Sequence, residues 1–282
     1  MSDTLALGQA LSSTVIFGCE TRETGEIHRQ LADGIIGFGL GTVSIVGQLA
    51  AAGVIANEFS LCYGSWGPHA GVSGEGSANG AVVFGSLSRS GRMVYTPLVL
   101  GTSYYKVRLQ AILLGEQSVA DLAPKPRDVQ ASFERGFGTV LDSGTTFIYL
   151  PTGAFTGFKA AVQAGIARTG ARSLAGPDPS FVDVCYQVSG ASTSSLGAFF
   201  PNMTLQMEGA QLTLPPANYL FAWGDARPDA FCLGVFDHGD SGVLLGAIAV
   251  RDVLVTYDRA QQRVGFRTAN CTHFMRHGHT DQ

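Results

Sequence analysis

The feature that most constrains the fold is an aspartate placed between two apolar runs, within residues 140–151. Asp142 directly follows Thr-Val-Leu, so in a sheet core its carboxylate would be desolvated, which is costly unless hydrogen bonds reach it. Four residues that can donate such bonds follow at once: Ser143, Gly144, Thr145 and Thr146. The stretch therefore predicts a strand that ends in a carboxylate site. Taken alone, Asp-Ser-Gly is also ordinary turn sequence, so the context has to decide.

Glycine and proline residues are spread along the whole chain. The 37 glycines and 11 prolines favour many short strands and tight turns over long helices, which indicates an all-β protein. At 282 residues the chain lies at or above the usual size limit of one domain, so two lobes, or one lobe and part of another, are expected. Two short helices are predicted. One covers residues 44–52, with Ser44 as its N-cap and Gly53 at its end, and the other covers residues 154–162 with one apolar face.

A second notable stretch, residues 32–41, combines an apolar centre with glycines at close spacing. Such glycines allow two backbones to approach each other tightly. A phosphate-binding loop is the rival interpretation, but no Lys-Ser/Thr follows and no strand-loop-helix unit is laid out, so it is not favoured.

Charge and hydropathy exclude several classes of function. The net charge is −4 and no Lys/Arg run occurs, so nucleic acid is not an expected partner. No apolar run reaches the roughly 18 residues of a membrane span, and the first residues lack the pattern of a signal peptide. His28, His69 and His238 lie in loop-like segments without a Gly-x-Ser-x-Gly elbow, which argues against a serine or cysteine hydrolase.

Five dispersed cysteines without Cys-x-x-Cys spacing favour long-range disulfides over a metal site, and we expect neither a metal nor another cofactor. Two sequons, at Asn202 and Asn270, are possible glycosylation sites in a secretory compartment, although such triplets also arise by chance. The Gly/Ser-rich residues 64–80 are predicted to be a mobile loop. The polar tail, residues 275–282, is predicted to be disordered rather than metal-binding, although it contains His277 and His279.

In order along the chain, these segments resemble the pepsin-like aspartic proteases, and in particular their plant and algal, nepenthesin-like branch. Asp142 to Thr146 matches the second active-site loop of that family. Residues 33–39 resemble the apolar, glycine-containing stretch of the first lobe, and residues 244–246 resemble its second-lobe counterpart. The resemblance implies a bilobal, mainly β fold that hydrolyses peptide bonds by a water molecule activated between two aspartates.

The resemblance also assigns roles to residues. It makes Asp142 one member of the catalytic pair, Ser143 the hydroxyl that ties its loop to a twin loop, and Thr145 a donor to the carboxylate, with Gly144 supporting the loop. Thr146 would border the substrate cleft. The resemblance pairs Cys185 with Cys232, and we hypothesise a second bridge between Cys62 and Cys271, which leaves Cys19 without a partner.

The chain departs from the family pattern in its first lobe. The first Asp-Thr/Ser-Gly loop and the flap tyrosine are not found. The other Asp-Ser-Gly, at residues 240–242, lacks the following hydroxyl and is predicted to be a turn. Ala247 stands where many relatives carry a polar residue. We therefore predict the rear half of a first lobe at residues 1–100, a complete second lobe at 101–274 and a tail at 275–282.

Three functional hypotheses follow. The first is an aspartic endopeptidase, present here in a truncated form with one catalytic aspartate. The second is a catalytically inactive pepsin-like binding or inhibitor protein. A third, less favoured, has two chains that each contribute Asp142 across a two-fold axis. The first hypothesis implies a peptide or protein substrate, a monomer, and a place in the secretory pathway, either extracellular or vacuolar.

Overall fold

A computed structural model describes residues 1–7, 11–22, 24, 33–64, 80–87, 91–176, 184–224 and 227–273. The described residues contain three α-helices: α1 (Ile45–Ala51), α2 (Pro126–Ser132) and α3 (Thr152–Ile166). They contain twenty short strands: β1 (Ser2–Leu7), β2 (Leu11–Ile16), β3 (Glu58–Cys62), β4 (Ala81–Phe84), β5 (Val94–Pro97), β6 (Lys106–Val107), β7 (Leu109–Leu114), β8 (Gln117–Ser118), β9 (Thr139–Leu141), β10 (Ile148–Leu150), β11 (Arg172–Ala175), β12 (Val184–Gln187), β13 (Met203–Met207), β14 (Ala210–Leu214), β15 (Leu220–Ala222), β16 (Ala230–Leu233), β17 (Val235–Asp237), β18 (Val243–Leu245), β19 (Val253–Asp258) and β20 (Arg263–Thr268).

The strands form five sheets. Their orders are β1-β2, β17-β10-β18-β9-β6, β11-β12-β16-β15, β14-β13-β7-β8 and β4-β3-β19-β20-β5. The mainly β architecture confirms the fold class that the glycine and proline distribution indicates. Within the described residues, no helix combines the length and apolar character that a membrane span requires.

The sheet β4-β3-β19-β20-β5 joins strands from both predicted lobes. Every residue of its central strand, β19, is buried. Two pairs of polar side chains inside it are hydrogen-bonded: the hydroxyls of Ser60 and Thr256 lie 2.8 Å apart, and Arg263 Nε donates to Asp258 Oδ2 at 2.9 Å. Buried polar groups are stable when they are hydrogen-bonded in this way. The lobe boundary near residue 100 stays a prediction.

The helices largely follow the sequence signals. The Ser44 side chain accepts from Gly47 N at 3.2 Å, as the predicted cap requires, and Gly53 follows α1 with φ +70°. α3 is longer than predicted and α2 is not predicted from the sequence, because no side chain makes a capping hydrogen bond at the start of either helix. The predicted mobile loop lies outside the described residues except at its two ends, and so does the predicted tail.

Candidate active site

Three strands position Asp142. β18 lies between β9 and β10, parallel to the first and antiparallel to the second. Asp142 follows β9 directly, and its N–H donates to the Leu245 carbonyl oxygen at 3.1 Å. The loop from Asp142 to Phe147 therefore crosses the end of β18 before the chain returns as β10. The predicted strand-to-carboxylate transition is where the sequence pattern puts it.

Each oxygen of the Asp142 carboxylate accepts one hydrogen bond from its own loop. Gly144 N donates to Oδ1 at 2.9 Å, and Thr145 Oγ1 donates to Oδ2 at 2.6 Å. The Thr145 N–H also donates to the Asp142 carbonyl oxygen at 3.2 Å. Hydrogen bonds from two donors fix the orientation of a carboxylate.

Asp142 is less desolvated than a sheet-core position would imply, because the residue is only half-buried. The chain leaves the sheet at this point, and the next two residues, Ser143 and Gly144, are exposed. Two of the four expected donors, Gly144 and Thr145, reach the carboxylate. Solvent therefore has access to a carboxylate that is held from one side only.

Ser143 and Thr146 both lie exposed on the loop. The Ser143 carbonyl accepts from the Tyr63 hydroxyl at 3.5 Å, and the Thr146 carbonyl accepts from Ile248 N at 2.9 Å. The predicted tie from the Ser143 hydroxyl to a twin loop, and the predicted place of Thr146 at a cleft, stay predictions.

Residues 246–248 bond to the loop through their backbone N–H groups. Ala247 N donates to the Thr145 carbonyl at 2.8 Å and Gly246 N to the Phe147 carbonyl at 3.2 Å. A side chain at Gly246 would collide with both carbonyl oxygens, so glycine is needed for this approach. Because the contact of residue 247 uses its N–H, an alanine there fits the loop.

Two tyrosines lie beneath the loop and were not singled out from the sequence. Tyr63 and Tyr257 line a small crevice together with Asp142 and Ser143. Burial raises the pKa of Tyr63, the Ser143 hydrogen bond lowers it, and the Asp142 charge raises it further. Burial also raises the pKa of Tyr257, with smaller contributions from neighbouring tyrosines and Asp142. Both phenols are therefore neutral neighbours of the carboxylate, and only the strand register brings them there.

The second Asp-Ser-Gly is a surface turn, as predicted. Asp240 is exposed and pairs with Arg135 at 3.2 Å, and Gly242 has φ +94°. His238, which the sequence places in a loop-like segment, is half-buried, with Nδ1 3.1 Å from the Gly242 carbonyl oxygen in the same turn. His28 and His69 lie outside the described residues.

The structure contains two disulfides, Cys62–Cys271 and Cys185–Cys232, and both predicted pairs are therefore confirmed. The first links β3 to the C-terminal end of the described chain, and the second joins β12 to β16. Cys19 is exposed and unbridged. The sequon asparagines, Asn202 and Asn270, are both exposed.

Comparison with known proteins places this geometry in a family. A probable aspartic protease of Arabidopsis thaliana is 29% identical, over 96% of this chain and 59% of the relative. Aspartic proteinase 39 of the same plant is 27% identical, over 93% of this chain and 50% of its own length. The Arabidopsis protein named aspartic protease in guard cell 2 is 29% identical, over 95% of this chain and 53% of its own length. The chain thus spans between half and three-fifths of these relatives.

Two family models also match, one described as xylanase inhibitor N-terminal at residues 1–86 and one as xylanase inhibitor C-terminal at residues 104–268. The second match covers more than half of the chain. The chain belongs to the pepsin-like aspartic protease family. Its fold is similar to that of basic 7S globulin from soybean, with a TM-score of 0.64 and 21% sequence identity. The match covers 90% of this chain and 60% of the globulin chain.

Proposed function

We propose that this chain carries one half of the catalytic centre of an aspartic-type endopeptidase, with Asp142 as one of its two carboxylates. The observation that carries the proposal is the loop itself: each Asp142 oxygen has one donor from Gly144 or Thr145, while the residue stays half-exposed. An orientated carboxylate that solvent can reach is what the activation of a water molecule requires.

The chemistry needs a second carboxylate. Aspartic proteases are themselves the reference case for two carboxylates that share one proton, one ionised to activate water and the other protonated to polarise the scissile carbonyl. Asp142 alone cannot divide these roles. We propose that the second aspartate is supplied by polypeptide outside this sequence, and that the substrate is a peptide or protein.

The experiment compares this chain with a longer natural polypeptide that contains a second Asp-Thr/Ser-Gly loop. We expect the longer form to show acid, pepstatin-sensitive proteolysis and the 282-residue chain to show none. In the longer form, Asp142→Asn should lower kcat about a thousandfold, whereas the matched Asp240→Asn in the other Asp-Ser-Gly should leave it unchanged. Activity of this chain alone, lost in Asp142→Ala, would contradict the need for a second aspartate. An active Asp142→Asn form would contradict the assignment of Asp142 as a catalytic carboxylate.

A second candidate function is recognition without cleavage, by a pepsin-like binding or inhibitor protein. Two observations favour it: the matching family models are described as xylanase inhibitor, and only one loop of the active-site type is present among the described residues. A titration of an endoxylanase with the chain tests it. Inhibition that survives Asp142→Asn would support this function, and absence of inhibition together with proteolysis by the longer form would reject it.

We also propose that the protein matures in the secretory pathway, as an extracellular or vacuolar monomer. Two disulfides and two exposed sequon asparagines support this, since disulfides persist in oxidising compartments. Expression of the natural gene in plant cells, followed by glycosidase treatment, should lower the apparent mass. Asn202→Gln and Asn270→Gln should each remove one glycan. Unglycosylated protein with reduced cysteines would contradict the assignment, and sedimentation of a dimer would contradict the monomer.

A further inference from the structure

A second cavity lies apart from the Asp142 loop. Its volume is about 330 Å³, within the range of small-molecule sites, which runs from about 300 to 1,000 Å³. It is formed where the ends of β14 and β15 meet the start of β19, and none of its lining residues belongs to the Asp142 loop. The proposed proteolysis does not use this cavity, so a ligand bound there would serve a different purpose.

The inner wall of this cavity is apolar, and its rim carries hydroxyl groups. Leu214, Phe231 and Val253 are buried wall residues. Thr213 and Thr268 lie exposed at the rim. Apolar walls with a small number of placed polar groups are typical of small-molecule sites, in which the polar groups fix the orientation of the ligand. The question is therefore which polar group of this cavity has no partner within the protein.

The side-chain amide of Asn218 lines the cavity, although this residue is only 2% exposed. Its Nδ2 donates to the Arg251 carbonyl oxygen at 2.9 Å and to the Ala249 carbonyl oxygen at 3.2 Å. Carbonyl oxygens only accept hydrogen bonds, so the NH₂ group must face both of them and the side-chain oxygen, Oδ1, must face away. Two hydrogen bonds to the backbone thus hold the amide in one orientation.

Asn218 Oδ1 accepts no hydrogen bond from any residue that the structure describes. Within the described part of the chain, the side-chain atoms that are fully buried and lack a partner are Thr96 Oγ1, Tyr186 OH and Arg267 Nε. Asn218 Oδ1 does not belong to that set, so it still contacts solvent. Because the residue is almost wholly buried and lines the cavity, this contact is through the cavity. A fixed acceptor without a partner is a group that a donor on a ligand can satisfy.

We propose that this cavity binds a neutral small molecule with an apolar body and one hydroxyl group, whose O–H donates a hydrogen bond to Asn218 Oδ1. The apolar body lies against Leu214, Phe231 and Val253, where its burial supplies most of the binding free energy. The hydroxyl group supplies the orientation, since Asn218 Oδ1 is the acceptor that the protein leaves unpaired. The proposal goes beyond proteolysis and is independent of it.

The same geometry disfavours a charged head group. A carboxylate would set an acceptor against the acceptor Asn218 Oδ1. An ammonium would lose its hydration, which apolar walls cannot replace. The two charged side chains that line the cavity, Arg251 and Asp252, are opposite in sign, so the net charge of the lining selects neither an anion nor a cation. A neutral donor is the head group that remains.

Calorimetric titration of the full chain with 2-heptanol and 2-heptanone tests the proposal. The two probes share one carbon skeleton, but the alcohol donates a hydrogen bond and the ketone only accepts. We expect 2-heptanol to bind saturably and about tenfold more tightly, since a buried acceptor that a ligand covers without pairing costs roughly that factor or more. Heptanoate and protonated 2-aminoheptane should bind more weakly than the alcohol. Equal or tighter binding of the ketone, tighter binding of either charged probe, or no saturable binding of 2-heptanol would overturn the proposal.

Three variants assign the binding to the cavity. Asn218→Leu removes the acceptor, so the ratio of the two affinities should fall from about ten to about one. Ala222→Leu adds volume to the cavity wall and should weaken the alcohol and the ketone alike, with their ratio unchanged. The matched control Ala131→Leu, on the exposed face of α2, should alter neither affinity.

Two outcomes among these variants would overturn the proposal: a tenfold preference for the alcohol in folded Asn218→Leu, or undiminished binding by folded Ala222→Leu. Asn218→Leu also removes two hydrogen bonds to the backbone. If it does not fold, the comparison of probes on the wild-type chain and the Ala222→Leu variant decide the question. Asp142→Asn should leave both affinities unchanged, so a failure here is distinguishable from a failure of the proposed proteolysis.

Discussion

Two segments of this molecule have nearly the same sequence pattern and opposite environments. Leu244-Leu245-Gly246 belongs to the strand β18 and its end, whereas Ile35-Ile36-Gly37 forms no strand. Leu245 is 2% exposed, whereas Ile35 and Ile36 are 75% and 61% exposed. A side chain on Gly246 would strike backbone oxygens, whereas one on Gly37 would meet nothing within 4 Å.

The difference lies in the neighbours. β18 is paired on one side with β9 and on the other with β10, the two strands that flank the Asp142 loop. Among the described residues, no strand pairs with Ile35-Ile36-Gly37, and the segment is anchored next to it, where the Tyr105 hydroxyl donates to the Phe38 carbonyl at 2.6 Å. A short apolar run becomes a strand only when other strands satisfy its backbone and cover its side chains.

The largest expected effect comes from truncating the buried member of the pair. Leu245→Ala should lower the free energy of unfolding by about 3 kcal/mol, since it leaves a cavity beneath the Asp142 loop. Its matched control, Ile36→Ala, should change it by less than about 0.5 kcal/mol. Urea denaturation of both variants measures the difference. Similar losses would mean that the two segments are equally packed in solution.

A smaller effect is expected at the two glycines. Gly246→Ala should cost about 2 kcal/mol, because the added Cβ meets the Phe147 and Thr145 carbonyl oxygens and the loop must move. Gly37→Ala should be neutral or slightly stabilising, since alanine restricts the unfolded chain and meets no neighbour. Thermal and urea unfolding check both. A Gly37→Ala variant as damaged as Gly246→Ala would show that the first segment also has a close neighbour.

The smallest effect concerns the anchor of the exposed segment. Tyr105→Phe removes the donor to Phe38 and should cost about 1 kcal/mol at neutral pH, while Tyr104→Phe, at an exposed neighbour, should cost nothing measurable. Hydrogen exchange should accelerate at residues 35–39 in Tyr105→Phe alone. Unchanged exchange would mean that the ring contacts of Phe38 with Phe59 and Phe84 suffice.

The same variant has a signature at high pH. Burial raises the pKa of Tyr105 to about 12, with a smaller opposing effect from the Arg259 charge. Because the unfolded phenol loses its proton near 10, the contribution of Tyr105 is complete below about pH 10 and is lost as pH rises toward 12. Tyr105→Phe should therefore lose stability less steeply over that interval. An identical slope would contradict the burial of this hydroxyl in solution.

Local sequence signals were enough wherever the chemistry is local. The donors to Asp142 lie two and three residues after it, the cap of α1 is its own serine, and Gly53 follows the helix in a left-handed conformation. The resemblance to pepsin-like proteases added the pairing of Cys185 with Cys232. Signals failed where they are weak or distant. α2 has no N-cap side chain, and nothing in the sequence indicates that Tyr63 and Tyr257 lie under the loop.

By itself, the sequence determined which carboxylate has hydrogen-bond donors next to it, where glycine allows a turn, and that the chain forms short strands. Backbone geometry and hydrogen bonds within a few residues decide these features. Only the tertiary structure decided that Asp142 is half-buried and that Arg251 lines a cavity. It also decided that Leu245 of the Leu-Leu-Gly segment is buried, whereas Ile35 and Ile36 of the Ile-Ile-Gly segment are exposed. Those properties depend on which strands become neighbours, and burial belongs to the packed set of strands rather than to any one segment.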